Sequence, residues 1–362
     1  MVKIVIDKVT KRFGPFTAID AMDAVFDDGA VTCLLGPSGC GKTTLMRMIV
    51  GLEQPTVGRI FFGDRDMSGL PPRKRNVGMV FQYPVMYQTL SVEENIALPL
   101  TQDRSLSAQE RDKRIDEVLD ILDMRDKRKL FIGDLDAGSR QKVAVGRAVA
   151  RRSDIVLFDE PTTNVEVQAK LLLIRAFKLV TQRLKQTIVY VTHDQTEAMT
   201  LADCVALMRD GRIIQYDRPA DLYATPATEF AGWFLGNPGM NFMPARKTAA
   251  GIETPLTAAP VAADAEVSGN GTLTAGIRPE HVRLGATAAP GAVPGVLKDL
   301  SVTIAGRFIA NVRIEGDTIV KVKTDEAIAA RPGDTVYLAA DPAGLSFYSD
   351  GNRVAAAVRQ SQ

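Results

Sequence analysis

The segment "GPSGCGKTT" has the residue types and spacing of a loop that binds phosphate. It fits the pattern G-x-x-x-x-G-K-[ST], follows the apolar run "VTCLL" and leads into the helical pattern "TTLMRMIVGL". Glycines let backbone N–H groups converge on phosphate oxygens, and a helix N-terminus adds partial positive charge. The strand and helix on either side disfavour a chance glycine-rich turn. The predicted nucleotide-binding residues are Gly36, Ser38, Gly39, Cys40, Gly41, Lys42, Thr43 and Thr44.

Two further segments end in polar residues that suit phosphate chemistry. In "DIVLFDEP", four apolar residues lead into Asp159 and Glu160, and "TIVYVTHD" leads into His193. Open α/β sheets bind ligands at the carboxyl ends of their strands. Asp159 is predicted to hold Mg²⁺, as is the Thr43 hydroxyl, and Glu160 to orient or deprotonate an attacking water. A solvated turn and a structural histidine are the alternatives, disfavoured beside a phosphate loop.

The elements that must position these residues form an α/β pattern. "KIVIDKV", "AVTCLL", "NVGMVF", "DIVLFD", "TIVYVT" and "CVALMRDGRIIQY" each read as a strand, with helical patterns such as Arg111–Met124 and Val167–Leu184 between them. Continuous apolar strands are typical of buried parallel sheets. Between about residues 85 and 152 the strand signals stop, which predicts a helical insertion in a domain that spans residues 1–238.

The remaining residues, 239–362, have a different character. From "TAGIRPEHVRL" onward, short alternating segments are separated by Gly, Pro and Asp, which predicts a small all-β domain, a sandwich or a barrel. His281 in this segment is given no chemical role.

The composition limits the class of protein. The chain has 362 residues and a formal net charge of +1, so no basic excess indicates nucleic-acid binding. Three scattered cysteines fit reduced thiols, and the start lacks a signal-peptide pattern. No apolar run approaches the roughly 18 residues of a spanning helix. Any work at a membrane therefore depends on the helices of other subunits.

Taken together and in order, these motifs resemble the ATPase subunits of ABC transporters over about residues 1–235. The resemblance includes the phosphate loop, "VFQ", "LDAGSRQKVAVGRAVA", "LFDEP" and "VTHD". It implies that Phe13 stacks on adenine, that Gln82 contacts Mg²⁺ and the attacking water, and that Glu160 and His193 act at the γ-phosphate. The β domain resembles the barrel-like (OB-like) extension of carbohydrate and polyol importer ATPases, and the chain looks most like bacterial glycerol importer ATPases.

One stretch departs from the family pattern. Where the family reads L-S-G-G-Q, facing the nucleotide held by the opposite subunit, this chain has Asp136, Ala137, Gly138 and Ser139. An ionised carboxylate repels phosphate, by roughly 4 kcal/mol for two unit charges about 4 Å apart at an effective dielectric near 20. Arg140 or Lys142 is expected to offset part of this repulsion. In the dimer-contact loop, Glu166 stands where Asp is usual.

The resemblance also implies partners. We expect a second ATPase subunit, more favourably a different chain than a second copy, because a homodimer places the altered signature in both composite sites. Two transmembrane permease subunits are expected to dock on Tyr83, Met86, Tyr87 and Leu90, with a periplasmic or extracellular solute-binding protein acting indirectly. The alternative is that these four side chains only pack the helical insertion. The expected location is the cytoplasmic face of the inner membrane, as a peripheral subunit.

Other functions remain open at this point. The solute is expected to be glycerol or another polyol, a sugar or glycerol phosphate. A soluble ABC-type ATPase that acts on nucleic acid or ribosomes predicts paired modules, a coiled coil or a basic surface, and the sequence shows none of these. A GTPase predicts an N-K-x-D motif, which is absent from the sequence.

Overall fold

The computed structural model describes residues 2–83, 85–101, 105–151, 153–162, 167–184, 186–265, 272–303 and 306–358. Their contacts divide the chain into two compact units, Met1–Leu222 and Tyr223–Gln362. This division falls earlier than the boundary at 238/239 predicted from composition. The reason is local: the Arg278 guanidinium donates to the carbonyls of Tyr223, Gly232 and Leu235, which ties residues 223–238 to the β unit.

The first unit contains both strands and helices. Its strands are β1 (Ile4–Phe13), β2 (Phe16–Phe26), β3 (Val31–Leu35), β4 (Val57–Phe62), β5 (Arg65–Asp66), β6 (Val77–Val80), β7 (Ile155–Asp159), β8 (Thr187–Thr192), β9 (Cys204–Arg209) and β10 (Arg212–Asp217). Its helices are α1 (Lys42–Val50), α2 (Val92–Thr101), α3 (Ala108–Ile121), α4 (Ala137–Ala150), α5 (Val167–Leu184) and α6 (Gln195–Leu201). Helix α7 (Pro219–Ala224) contains the division between the units, which falls after Leu222.

The central sheet has the strand order β10-β9-β3-β8-β7-β6. Every neighbouring pair from β9 to β6 is parallel, and β10 is antiparallel to β9. All residues of β3 and β8 are buried, as the continuous apolar runs predicted. This sheet and the helices around it confirm the predicted α/β fold class.

The segment "CVALMRDGRIIQY" corrects one prediction, because it forms two strands rather than one. Asp210 and Gly211 take φ angles of 49° and 77° between β9 and β10, and the chain reverses there. An Asp-Gly pair in this conformation is a hairpin turn. A second, antiparallel sheet has the order β2-β1-β4-β5 and packs its apolar side chains into the same core as β3 and α1.

A helical segment, α2 to α4, lies between β6 and β7, where the insertion was predicted. Helix α3 begins with a capping box, in which the Ser107 hydroxyl accepts from the Glu110 N–H and the Glu110 carboxylate accepts from the Ser107 N–H. At the other end of the segment, the Arg114 guanidinium donates to the carbonyls of Val149 and Ala150 and so stabilises the last turn of α4.

The second unit is built from strands around its own core. Helix α8 (Glu229–Phe234) precedes strands β11 (Asn241–Thr248), β12 (Gly251–Glu253), β13 (Ala263–Ala265), β14 (Leu273–Ile277), β15 (Val282–Gly285), β16 (Val293–Val302), β17 (Phe308–Arg313), β18 (Ile319–Thr324), β19 (Thr335–Ala340), β20 (Leu345–Ser349), β21 (Asn352–Val354) and β22 (Ala356–Val358). Sheets β12-β11-β14-β20-β21 and β15-β19-β16-β17-β18 share one apolar core. The predicted all-β domain is confirmed.

Candidate active site

The phosphate loop runs from the end of buried β3 to the start of α1. Gly39 and Gly41 take left-handed φ angles of 81° and 103°. A Cβ on Gly41 would lie 2.7 Å from the Ala18 carbonyl oxygen, so this position has no room for a side chain. Helix α1 begins directly after Gly41. The N–H groups of its first turn therefore lie next to the loop, as an anion site requires.

The side chain of Lys42 lies inside this loop. It is 5% exposed, and its ammonium donates to the carbonyl oxygens of Gly36 and Pro37 at 2.8 and 2.9 Å. The thiol of Cys40 is buried 3.7 Å from the same ammonium, and burial raises its pKa. Burial therefore favours the neutral thiol form of Cys40.

The other predicted loop residues differ in their exposure. Ser38 is exposed, whereas Thr43 and Thr44 at the start of α1 are half-buried.

The carboxyl ends of β6, β7 and β8 bring the remaining predicted residues to one edge of the sheet. Val80 is in register with Phe158, and Asp159 with Val191. Gln82, Asp159, Glu160 and His193 follow or end these strands, so they lie at the same edge. Burial raises the pKa of the Asp159 carboxyl, and the Glu160 charge adds to this shift, while the charges of Arg47 and Lys42 oppose it.

Glu160 has an unusual backbone conformation and a specific partner. Its φ is +43°, a left-handed value that costs a residue other than glycine about 1 kcal/mol or more. Its N–H donates to the Val191 carbonyl at 3.0 Å, which fixes the peptide between β7 and β8. One carboxylate oxygen lies 3.2 Å from Nδ1 of His193. The Glu160 side chain is 20% exposed and that of His193 51%, so both groups can reach a ligand.

Phe13 lies at the end of β1, across a tight turn from Phe16 at the start of β2. The Phe13 ring is 45% exposed, and the Lys11 ammonium lies 4.7 Å from its centre. Phe16 is 60% exposed, only two residues before Ala18, which lies against the phosphate loop. Phe16, which the sequence analysis did not single out, is thus a second exposed aromatic side chain across the Gly-Pro turn from Phe13.

The altered signature forms the start of helix α4. Asp136 is its N-cap residue, and its carboxylate accepts hydrogen bonds of 2.8 Å from the N–H and from the hydroxyl of Ser139. These bonds, with the charge of Lys127, lower the pKa of Asp136 to about 2. Ala137 is exposed and Gly138 is buried. The cation beside the Asp136 carboxylate is the Lys127 ammonium, at 3.5 Å, rather than the side chain of Arg140 or Lys142 that was expected there.

A buried carboxylate next to these residues was missed by the sequence reasoning. Glu197 of α6 accepts hydrogen bonds from the Thr162 hydroxyl and from the Tyr190 hydroxyl at 3.0 Å. Its 1%-exposed side chain also forms an ion pair of 2.8 Å with Lys170. Thr162 lies two residues after Glu160, so the network joins the two segments that carry Glu160 and His193. An isolated glutamate in a helical pattern gave no signal for this role.

The predicted permease-docking residues precede α2, and a residue of this helix, Asn95, bonds to the backbone of their segment. The buried Asn95 amide donates to the carbonyls of Tyr87, Leu90 and Ser91, and its oxygen accepts from the Tyr87 N–H. Tyr83 is 71% and Tyr87 53% exposed, whereas Met86 and Leu90 are half-buried.

Glu166, in the predicted dimer-contact loop, lies outside the described residues. In the part of the chain that is described, no helix is long and apolar enough to cross a membrane.

A phosphate loop on a parallel sheet, a carboxylate-histidine pair at the neighbouring strand ends and a helical insertion define an ATP-binding cassette. Comparison with known proteins agrees. The ABC transporter family model matches residues 19–163, the MalK OB fold domain residues 236–282 and the TOBE domain residues 275–347.

Relatives extend the match over nearly the whole chain. An ABC transporter ATP-binding protein of Sinorhizobium fredii, itself uncharacterised, is 38% identical over 93% of this chain and 90% of its own length. The sn-glycerol-3-phosphate import ATP-binding protein of Ruegeria pomeroyi is 40% identical over 78% of this chain and 79% of its own length. The sulfoquinovosyl glycerol transport ATP-binding protein of Agrobacterium fabrum is 38% identical over 78% and 80%.

The fold is also similar to that of solved ABC transporter proteins. A solved structure of cbiO1 from Clostridium perfringens superposes with a TM-score of 0.57 at 24% identity, over 61% of this chain and 90% of that one. The relatives described above show that the chain belongs to the ATP-binding proteins of ABC transporters. It has an ATPase domain of the P-loop fold followed by an OB/TOBE region.

Proposed function

We propose that this chain is the subunit whose ATP hydrolysis drives import of a small polar solute through separate membrane subunits. The observation that carries the proposal is the pair formed by Glu160 and His193, at the strand ends beside the phosphate loop. A carboxylate and an imidazole 3.2 Å apart suit the positioning of a water against a terminal phosphate.

Each residue then has a chemical role. The loop N–H groups and the start of α1 bind the phosphates, and the Lys42 ammonium exchanges its carbonyl partners for phosphate oxygens. Glu160 accepts a proton from, or orients, the attacking water. The His193 imidazole contacts the terminal phosphate and holds the Glu160 carboxylate. Phe13 offers its exposed ring to the adenine.

The residues proposed for Mg²⁺ fit that ion. The Thr43 hydroxyl, the Gln82 amide and the Asp159 carboxylate all offer oxygen, the ligand that Mg²⁺ prefers. Burial raises the pKa of Asp159, and a cation beside its carboxylate would lower that pKa again. When bound, Mg²⁺ neutralises charge on the phosphate oxygens.

The transported solute is proposed from the relatives. Their names specify sn-glycerol-3-phosphate import and sulfoquinovosyl glycerol transport, so glycerol or another polyol, its phosphate or a sugar derivative is the proposed class. Two permease subunits would dock on the exposed segment around Tyr83 and Tyr87. In this proposal the chain is a peripheral subunit at the cytoplasmic face of the inner membrane, and a solute-binding protein acts through the permeases.

A second ATPase subunit is proposed to complete each nucleotide site head to tail. The expectation that this subunit is a different chain rested on repulsion by Asp136. Lys127 lies 3.5 Å from that carboxylate and offsets its charge, which weakens the expectation. A second copy of this chain is therefore proposed as a sufficient partner, and activity that appears only with a different ATPase chain would contradict this.

Replacing Glu160 with Gln tests the assignment, because Gln keeps the shape of the side chain but cannot accept a proton. We expect ATP turnover to fall at least 100-fold while ATP still binds, measured by phosphate release and by calorimetry. His193→Ala should also lose turnover, and His281→Ala, at the other histidine of the chain, serves as the matched control. Turnover in Glu160→Gln equal to that of the wild type would refute the assignment.

A further inference from the structure

The carboxylate of the altered signature, Asp136, has a lysine side chain beside it. The Lys127 ammonium lies 3.5 Å from a carboxylate oxygen of Asp136 and donates to the Ser139 hydroxyl oxygen at 2.8 Å. The same hydroxyl donates to Asp136 at 2.8 Å. These contacts form a closed triangle at the start of α4, with one negative and one positive charge.

Lys127 is distinguished from the other basic residues of its segment by its partner. Arg125 pairs with Asp120, Arg128 with Glu93, Asp112 and Asp116, and Lys129 with Glu93. Among the ion pairs of the described residues, Lys127 alone pairs with Asp136. Its side chain is 34% exposed, so the ammonium, which has three N–H donors, keeps access to solvent.

We infer that Lys127 is the positioning residue that makes the acidic signature of this chain compatible with a nucleotide. The inference rests on the proposed function, in which the start of α4 faces the triphosphate held by a second ATPase subunit. An isolated carboxylate there repels phosphate with the full strength of a like charge. A carboxylate with an ammonium beside it is a dipole, whose field at the phosphate is much weaker.

A purely structural role for Lys127 is a weak alternative. Exposed ion pairs contribute little to the stability of a fold, and the Asp136 side chain is 65% exposed. The N-cap bonds that hold the start of α4 come from Ser139 and do not need the lysine. Removal of the ammonium should therefore leave the protein folded and change only the charge that faces the nucleotide.

The test is a double-mutant cycle on ATP turnover, in the assembly in which the wild-type chain hydrolyses ATP. We expect Lys127→Met to lower the turnover about tenfold, because the repulsion by Asp136 is then unopposed. Lys127→Arg, which keeps the charge, should restore most of the activity. In the Asp136→Ser background, Lys127→Met should lower turnover less than about twofold, since no carboxylate is left to offset.

Lys129→Met is the matched control. Lys129 lies two positions after Lys127 and carries the same charge, but it pairs with Glu93 instead of Asp136. Thermal melting checks that each variant is folded. An equal loss for Lys127→Met in both backgrounds, or no loss in either, overturns the inference. Failure of the proposed function looks different: the wild-type chain would hydrolyse no ATP, or Glu160→Gln would hydrolyse it normally.

Discussion

Replacing Glu197 with Ala removes the carboxylate at the centre of a buried polar network. The side chain is 1% exposed and has three partners, the hydroxyls of Thr162 and Tyr190 and the Lys170 ammonium. These partners come from the segment after β7, from β8 and from α5. The substitution therefore disconnects elements that meet behind the proposed catalytic pair.

The expected cost follows from the groups left behind. The hydroxyls of Tyr190 and Thr162, 2% and 3% exposed, lose their acceptor, which costs about 1–3 kcal/mol each. Lys170 keeps an ion pair of 2.6 Å with Asp194, so no unpaired charge remains. The free energy of unfolding of the first unit should therefore fall by about 2–6 kcal/mol, the sum of the two losses. Glu197→Gln keeps an acceptor of the same shape and should lose about 1–2 kcal/mol.

Chemical unfolding of the full chain measures this loss with two signals. The chain has one tryptophan, Trp233, and it belongs to the second unit. Far-UV circular dichroism should show an earlier transition in Glu197→Ala, while the Trp233 fluorescence transition should move little. Glu117→Ala is the control, because this glutamate pairs with Arg114 but is 49% exposed, and its removal should cost less than about 1 kcal/mol. The reasoning fails if both variants lose the same stability.

Two further substitutions have expected outcomes. Asp136→Ala removes an N-cap and should lower the free energy of unfolding by about 1 kcal/mol at neutral pH. The pKa of Asp136 is about 2 in the folded chain, below the ordinary 3.8, so the stability that Asp136 contributes is present above about pH 4 and is lost as the pH falls towards 2. Urea unfolding of wild type and variant at pH 7 and pH 2.5 measures this contribution, and the same difference between them at both pH values would contradict it. Gly41→Ala places a Cβ 2.7 Å from the Ala18 carbonyl and should weaken ATP binding at least tenfold by calorimetry. Gly69→Ala, also at a left-handed φ but with no atom within 4 Å of the new Cβ, is its control, and equal binding in both variants would show that the close contact is unimportant.

Much of the fold could be predicted because its signals are local. The apolar runs that became β7 and β8 are long enough to identify buried strands, and Val167–Leu184 is a helix with the predicted limits. The phosphate loop was recognisable for the same reason: all of its determinants lie within nine consecutive residues. The "DG" pair in the β9–β10 hairpin also carried a local signal, which the strand prediction overlooked.

The parts that could not be predicted depend on contacts between distant positions. Glu197 and Lys170 look like ordinary solvated residues in helical patterns, and only the packing of α5 and α6 shows that they form a buried pair. Lys127 is nine residues before Asp136, and a turn at Arg125–Lys127 brings its ammonium to that carboxylate. Glu160 likewise has a left-handed backbone and bonds to Val191, on a strand that comes later in the chain, and neither feature has a local sequence signal.

The left-handed backbone conformation of Glu160 matters for selection of variants with higher thermal stability. Glycine adopts a φ of +43° without the penalty that glutamate suffers there, so Glu160→Gly relieves strain at a position between two buried strands. The same change deletes the carboxylate. If Glu160 has the proposed catalytic role, a screen that rewards survival at high temperature would favour a more stable chain without ATP turnover. Position 160 should therefore be held fixed in such a screen.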